Sequence, residues 1–79
     1  MKFVISLYGS RWKGLVLDTY SIQTSFPKKY KGIGYRVLIL KDKNGNTSRK
    51  RIIKSMNKDW FKEITPFSIS NINPDWLKM

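Results

Sequence analysis

The residues of this chain that could do chemistry are cations set beside aromatic rings. Lys28, Lys29, Tyr30 and Lys31 run together, with Phe26 just before them and Gly32, Gly34, Tyr35 and Arg36 just after. Arg49, Lys50 and Arg51 form a second run, and Arg11, Trp12 and Lys13 a third. Lysine offers phosphate a mobile point charge; arginine offers a planar fork that can hold two oxygens at once. The rings of Trp12, Tyr30 and Phe26 could stack on a base or wedge into a groove. Gly32 and Gly34 lack Cβ, so a phosphate could approach the backbone there.

The groups that support catalysis are scarce. The chain has no His and no Cys. The usual general base, the thiol nucleophile and most transition-metal ligands are therefore missing. Asp18, Asp42, Asp59, Glu63 and Asp75 are scattered along the chain. Asp59 and Glu63 are four apart but flank Lys58 and Lys62, which reads as a solvated face. No phosphate-binding or dinucleotide fingerprint is present. A non-catalytic protein with no metal and no cofactor is expected.

Sixteen Lys and Arg stand against five Asp and Glu, a net charge of +11 over 79 residues. A small domain repels itself at this charge, so a polyanionic partner is the simplest reason to keep it. The expected partner is nucleic acid, with double-stranded DNA favoured over RNA. The expected binding set is Arg11, Trp12, Lys13, Lys28, Lys29, Tyr30, Lys31, Arg36, Arg49, Lys50 and Arg51. Contacts to phosphate carry no base information, so sequence preference should be low. Two alternatives stay open: a module that binds an acidic host protein, and an RNA- or ribosome-associated factor.

Hydrophobic residues make up 41% of the chain, enough for one small core and too many for a disordered basic tail. Such a core rarely yields more than about 3–5 kcal/mol. Without Cys no disulfide can help, and a cytoplasmic home, in bacterial or host cytoplasm or nucleoid, is the default. The N-terminal apolar run stops at Gly9, short of the ~7–15 residues of a signal-peptide core. No run reaches the ~18 apolar residues of a membrane helix. A monomer or a homodimer is expected, away from membranes.

The elements that must position these groups are mostly strands. Phe3 to Tyr8 alternates as a first strand, and Trp12 to Tyr20 is rich in β-branched and aromatic residues. Ser21 to Gly34, with Pro27 and two glycines, reads as a long basic loop. Tyr35 to Lys41 and Thr47 to Lys54 form a hairpin about Asn44-Gly45, because both turn residues tolerate positive φ. Along the return strand Arg49, Arg51 and Ile53 point one way, and register decides whether Arg36 joins them. Asn57 to Ile64 reads as a helical turn capped by Asn57, and Phe67 to Ser70 as a last strand. Asn73 to Leu77 has an Asn cap and Pro at the first helical position. Trp60 and Trp76 are expected to pack the core, and Trp12 to be the exposed, stacking tryptophan.

Five short strands and these helical turns predict a mainly β domain spanning 1–79. The expected architecture is a small five-stranded antiparallel SH3-like barrel, with an OB-like barrel as the alternative. The stretch Gly9-Ser10-Arg11-Trp12-Lys13-Gly14-Leu15-Val16-Leu17-Asp18 resembles the KOW motif of SH3-like (KOW/Tudor-type) barrels. In that resemblance Lys13-Gly14 is the turn and Leu15 to Asp18 the strand. It implies a module that binds nucleic acid, or a transcription or ribosomal surface. The Lys-rich composition without His or Cys also resembles small DNA-binding accessory proteins of large tailed phages.

Overall fold

The computed structural model describes residues 2–67 and 74–77. Five antiparallel strands form one sheet: β1 (Phe3–Ser6), β2 (Lys13–Thr24), β3 (Tyr30–Lys41), β4 (Ile53–Asn57) and β5 (Phe61–Ile64). Their order across the sheet is β4-β3-β2-β1-β5. Two short 3-10 turns complete the described residues, Lys58–Trp60 between β4 and β5, and Pro74–Leu77 near the C-terminus. The mainly β composition and the two helical turns match expectation.

The sheet is built on its longest hairpin. β2 and β3 are each twelve residues and pair from Lys13↔Lys41 to Thr24↔Tyr30. The expected long loop at Ser21 to Gly34 is therefore wrong. Only residues 25–29 leave the ladder. Thr19, Ile22 and Thr24 suit strand backbone, and the two glycines that suggested a loop are covered by tyrosines. A Cβ on Gly34 would collide with the Tyr20 ring across the strand pair, and one on Gly32 with the Tyr30 ring. Aromatic cover of strand glycines of this kind restores the packing that glycine forfeits. The same rings fill the space in which a phosphate was expected to approach Gly32 and Gly34.

Both sheet faces carry apolar side chains. On one, Phe3, Leu15, Leu38 and Leu40 are buried, and Leu17, Ile53, Ile64, Phe67 and Trp76 pack against them. The Phe67 ring meets Phe3 edge-on at 4.9 Å, so Phe67 and Trp76 cover part of this outer face. On the other, Val4, Val37 and Phe61 are buried beneath Trp12, Val16, Tyr35 and Met56. Phe61 in β5 stacks on Tyr35 in β3, centroids 6.0 Å apart, although β1 and β2 lie between their strands. The sheet must be rolled toward this inner face. Val37 and Leu38 are fully buried, each adding about 1.5–3 kcal/mol of burial.

The roll does not close into the expected barrel. β4 pairs with β3 and β5 with β1, and among the described residues the two edges do not pair with each other. The rings of Phe61, Tyr35 and Trp12 occupy the interior between them. A layer of side chains holds facing strands about 10 Å apart, twice the spacing a ladder needs.

Two further expectations change. Asn57 does cap a helical turn, its side chain accepting from the Asp59 backbone N–H at 3.0 Å. That turn lasts one round, and the chain then extends at Phe61 (φ −127°, ψ 152°) so that Phe61 to Ile64 pairs with β1. The fifth strand is thus Phe61–Ile64. Residues 68–70 of the expected last strand, and the Asn73 cap, lie outside the described residues. The Asn44-Gly45 turn is present, held by Asp42. Its carboxylate accepts from the backbone N–H groups of Asn44 at 2.8 Å and Asn46 at 2.9 Å. The Asn46 N–H, with that of Asn44, holds Asp42 below its ordinary pKa.

Candidate nucleic-acid interface

The hairpin of β2 and β3 outruns its neighbours. β4 pairs with β3 only from Gly34 to Leu38, and β1 with β2 only from Lys13 to Leu15. Beyond the Tyr20↔Gly34 pair, the ladder Ser21↔Ile33, Ile22↔Gly32, Gln23↔Lys31, Thr24↔Tyr30 has two strands alone. It forms an arm, in keeping with a molecule 42 Å long and 25 by 21 Å across. No acidic residue occurs from Thr19 to Tyr35.

The arm brings one predicted group together. Lys28, Lys29, Tyr30 and Lys31 stand exposed at its tip with Phe26, which is 87% exposed. The Thr24 hydroxyl donates to the Lys28 carbonyl at 3.0 Å and closes the tip. Gln23, Thr24, Ser25, Lys29, Tyr30 and Lys31 line a hollow of about 520 Å³ there. Strand alternation puts Lys31 on the face of Tyr35, and Tyr30 on the face of Arg36. Asn57 Nδ2 donates to the Tyr30 hydroxyl, which ties the arm to the end of β4.

Arg36 sits at the base of the arm in a fixed pose. Its Nη1 donates to Asp18 Oδ1 at 2.6 Å, and its guanidinium lies 4.6 Å from the Tyr20 ring centroid. An exposed pair of this kind contributes about 0–1 kcal/mol, and its main effect is to orient the fork. On the other face Lys2 reaches Tyr35, Nζ to hydroxyl at 3.3 Å and 5.3 Å from the ring centroid. That hydrogen bond holds Lys2 above its ordinary pKa. Sequence reading missed Lys2, Asp18 and Tyr20; the Tyr20–Gly34 complementarity becomes visible only once the strands are in register.

The second predicted cluster lies elsewhere. Residues 49–51 are not in a strand. After a single bridge, Lys41↔Thr47, the chain leaves the ladder and returns at Ile53. The Ser48 hydroxyl donates to the Lys50 carbonyl at 2.9 Å, a local bond that competes with strand pairing. Arg36 pairs with Ser55 and so does not share a surface with Arg49 and Arg51 as entertained. Arg49 and Lys50 are exposed, while Arg51 Nε donates to the Trp76 carbonyl at 3.4 Å. Ser48 N–H donates to the Leu40 carbonyl at 2.8 Å and Ile39 N–H to the Ile52 carbonyl at 2.9 Å, so this cluster leaves the sheet beside Ile39 and Leu40 of β3. At the ~3.3 Å rise of a strand, the nine to ten residues from Tyr30 to that point separate the clusters by at most roughly 30–33 Å.

The third group is divided. Arg11 is exposed in the turn between β1 and β2, at a φ of 48°. Lys13 is half-buried at the start of β2. Trp12 is not the exposed tryptophan: it packs edge-on against Phe61, centroids 5.6 Å apart. The exposed one is Trp60, expected in the core but 47% exposed on its 3-10 turn. Trp76 packs on the outer face as expected. The Asn-capped turn was legible around Trp60, yet nothing in the sequence says which way its ring faces.

No protein-family model, curated protein or solved structure matches this chain. Among the described residues no helix is long and apolar enough to cross a membrane.

Proposed function

We propose that this chain binds nucleic acid, double-stranded DNA before RNA, largely without regard to sequence. One observation carries the proposal: a two-stranded arm that presents Lys28, Lys29 and Lys31 around an exposed Phe26, with no carboxylate along it. The lysines serve the phosphates, and Phe26 is the side chain able to press into a groove or stack on a base. Arg49 and Lys50 give a second set of phosphate contacts.

The strand order, with β1 between β2 and β5 and a 3-10 turn leading into β5, supports reading the sheet as an opened SH3-like barrel. In the KOW-like stretch Gly9 to Asp18 the turn lies before β2, at Gly9 to Arg11, and not at the expected Lys13-Gly14, which are already paired with β1 as the start of β2. A phage-encoded protein acting on DNA in a bacterial cytoplasm or nucleoid fits this proposal. The test is fluorescence anisotropy with labelled duplex DNA, duplex RNA and single strands over a salt series. Tight, steeply salt-dependent, sequence-indifferent binding to duplex DNA is expected. Preference for A-form RNA would move the protein to the RNA-associated alternative, and no binding at low salt would overturn the proposal.

A further inference from the structure

At the end of the sheet away from the arm lies an apolar groove of about 510 Å³. Tyr8 and Trp60 stand at its mouth, 61% and 47% exposed, edge-to-face with centroids 5.1 Å apart. Ile39, Ile52 and Met56 line it, with Trp12 beside them. Two backbone hydrogen bonds pin its walls: Leu7 N–H to the Trp60 carbonyl at 2.8 Å and Ser6 N–H to the Trp12 carbonyl at 2.9 Å. Exposed large apolar side chains gathered on a small basic protein mark an interaction surface.

We infer that this groove docks an acidic segment of a partner protein through one tyrosine side chain. Charge sets the class of partner. Lys54 lines the groove, Arg11 stands between Ser10 and Trp12 of the lining, and Lys58 lies on the turn with Trp60. Asp59, beside Tyr8 and Trp60, is the single carboxylate among these groups. A second copy of this chain carries +11 itself and is repelled.

The lining sets the anchor. Ser6 lines the groove with a side chain 2% exposed; its Oγ, itself closed to solvent, has no hydrogen-bond partner among the described residues and meets a ligand hydroxyl when adjoining wall side chains move aside. A nucleobase would set several polar edge atoms against Ile39, Ile52 and Met56, side chains that cannot hydrogen-bond them. Tyrosine brings an apolar ring for the Ile39, Ile52 and Met56 lining and a single hydroxyl, for which Ser6 and Ser10 stand in the wall. Acidic neighbours in the peptide then meet Arg11, Lys54 and Lys58.

The probe is a fluorescein-labelled hexapeptide of Glu and Asp with one central tyrosine, plus versions with phenylalanine or alanine in its place. Anisotropy is read at 0.15 M salt, where charges more than about 8 Å away are screened. The tyrosine peptide is expected to bind about tenfold or more tighter than the alanine peptide, with phenylalanine between them. Trp60→Ala should lose this preference. Ser6→Ala, which removes the orphan hydroxyl without opening the core, should erase only the advantage of tyrosine over phenylalanine. The Lys28, Lys29 and Lys31 triple alanine variant should bind the peptide like the parent, so failure here is separable from failure of the DNA proposal. Equal binding of the three peptides would overturn the inference, as would displacement of the tyrosine peptide by a single-stranded oligonucleotide that itself depends on Trp60.

Discussion

Replacing Lys28, Lys29 and Lys31 together with alanine removes the charge of the arm and little else. The three side chains are exposed and make no side-chain hydrogen bond or ion pair within the described structure. Stability should therefore change by no more than about 0.5 kcal/mol. Binding should change in a calculable way. Each phosphate neutralised on B-form DNA adds about −0.9 to the slope of log K against log salt. Five contacts, from these lysines with Arg49 and Lys50, give a slope near −4.5, and the triple variant should fall to about −1.8. Between 50 and 200 mM salt the parent should lose affinity roughly 500-fold and the variant roughly 12-fold by the same relation. Anisotropy on a labelled duplex at four or five salt concentrations reads both slopes. An unchanged slope would remove the arm from the interface. A slope near zero in the variant would remove Arg49 and Lys50 instead.

Phe26→Ala should weaken duplex binding while leaving that slope intact, because it removes a wedge and no charge; a reduced slope would show that the ring merely positions the lysines. Gly14→Ala should destabilise by about 1–3 kcal/mol in urea unfolding, since its Cβ would lie 2.4 Å from the Leu38 carbonyl oxygen, which is backbone and cannot turn aside. Asp42 has its pKa lowered in the fold, so its contribution is fully present at neutral pH. It should be lost as pH falls through and below the ordinary aspartate range. Asp42→Ala should flatten that acid dependence of the melting temperature, and an identical pH profile in parent and variant would show that the turn does not need the carboxylate.

Local signals were legible where one residue decides the outcome. Asn44-Gly45 forced a turn, Asn57 capped one, and the alternation of Phe3 to Leu7 gave a first strand. Signals that depend on a partner across the sheet were not. Gly32 and Gly34 look like loop residues until Tyr30 and Tyr20 are seen to lie over them. Arg49 to Arg51 look like a strand because the hairpin before them is strong, but Ser48 ties the chain locally. Trp12 and Trp60 exchange their expected places because burial depends on which ring Phe61 meets, and that is set by the roll of the whole sheet. The basic residues were all visible in the sequence. Their division into an arm and a distant loop follows from the length of β3.

The central claim is tested most directly by anisotropy of the unmodified protein on two duplex DNAs of unrelated sequence, titrated across salt. The proposal predicts affinities within about threefold of each other and a common slope near −4 to −5. Absence of binding to either duplex at low salt would contradict it, and the charge of +11 would then serve an acidic protein partner.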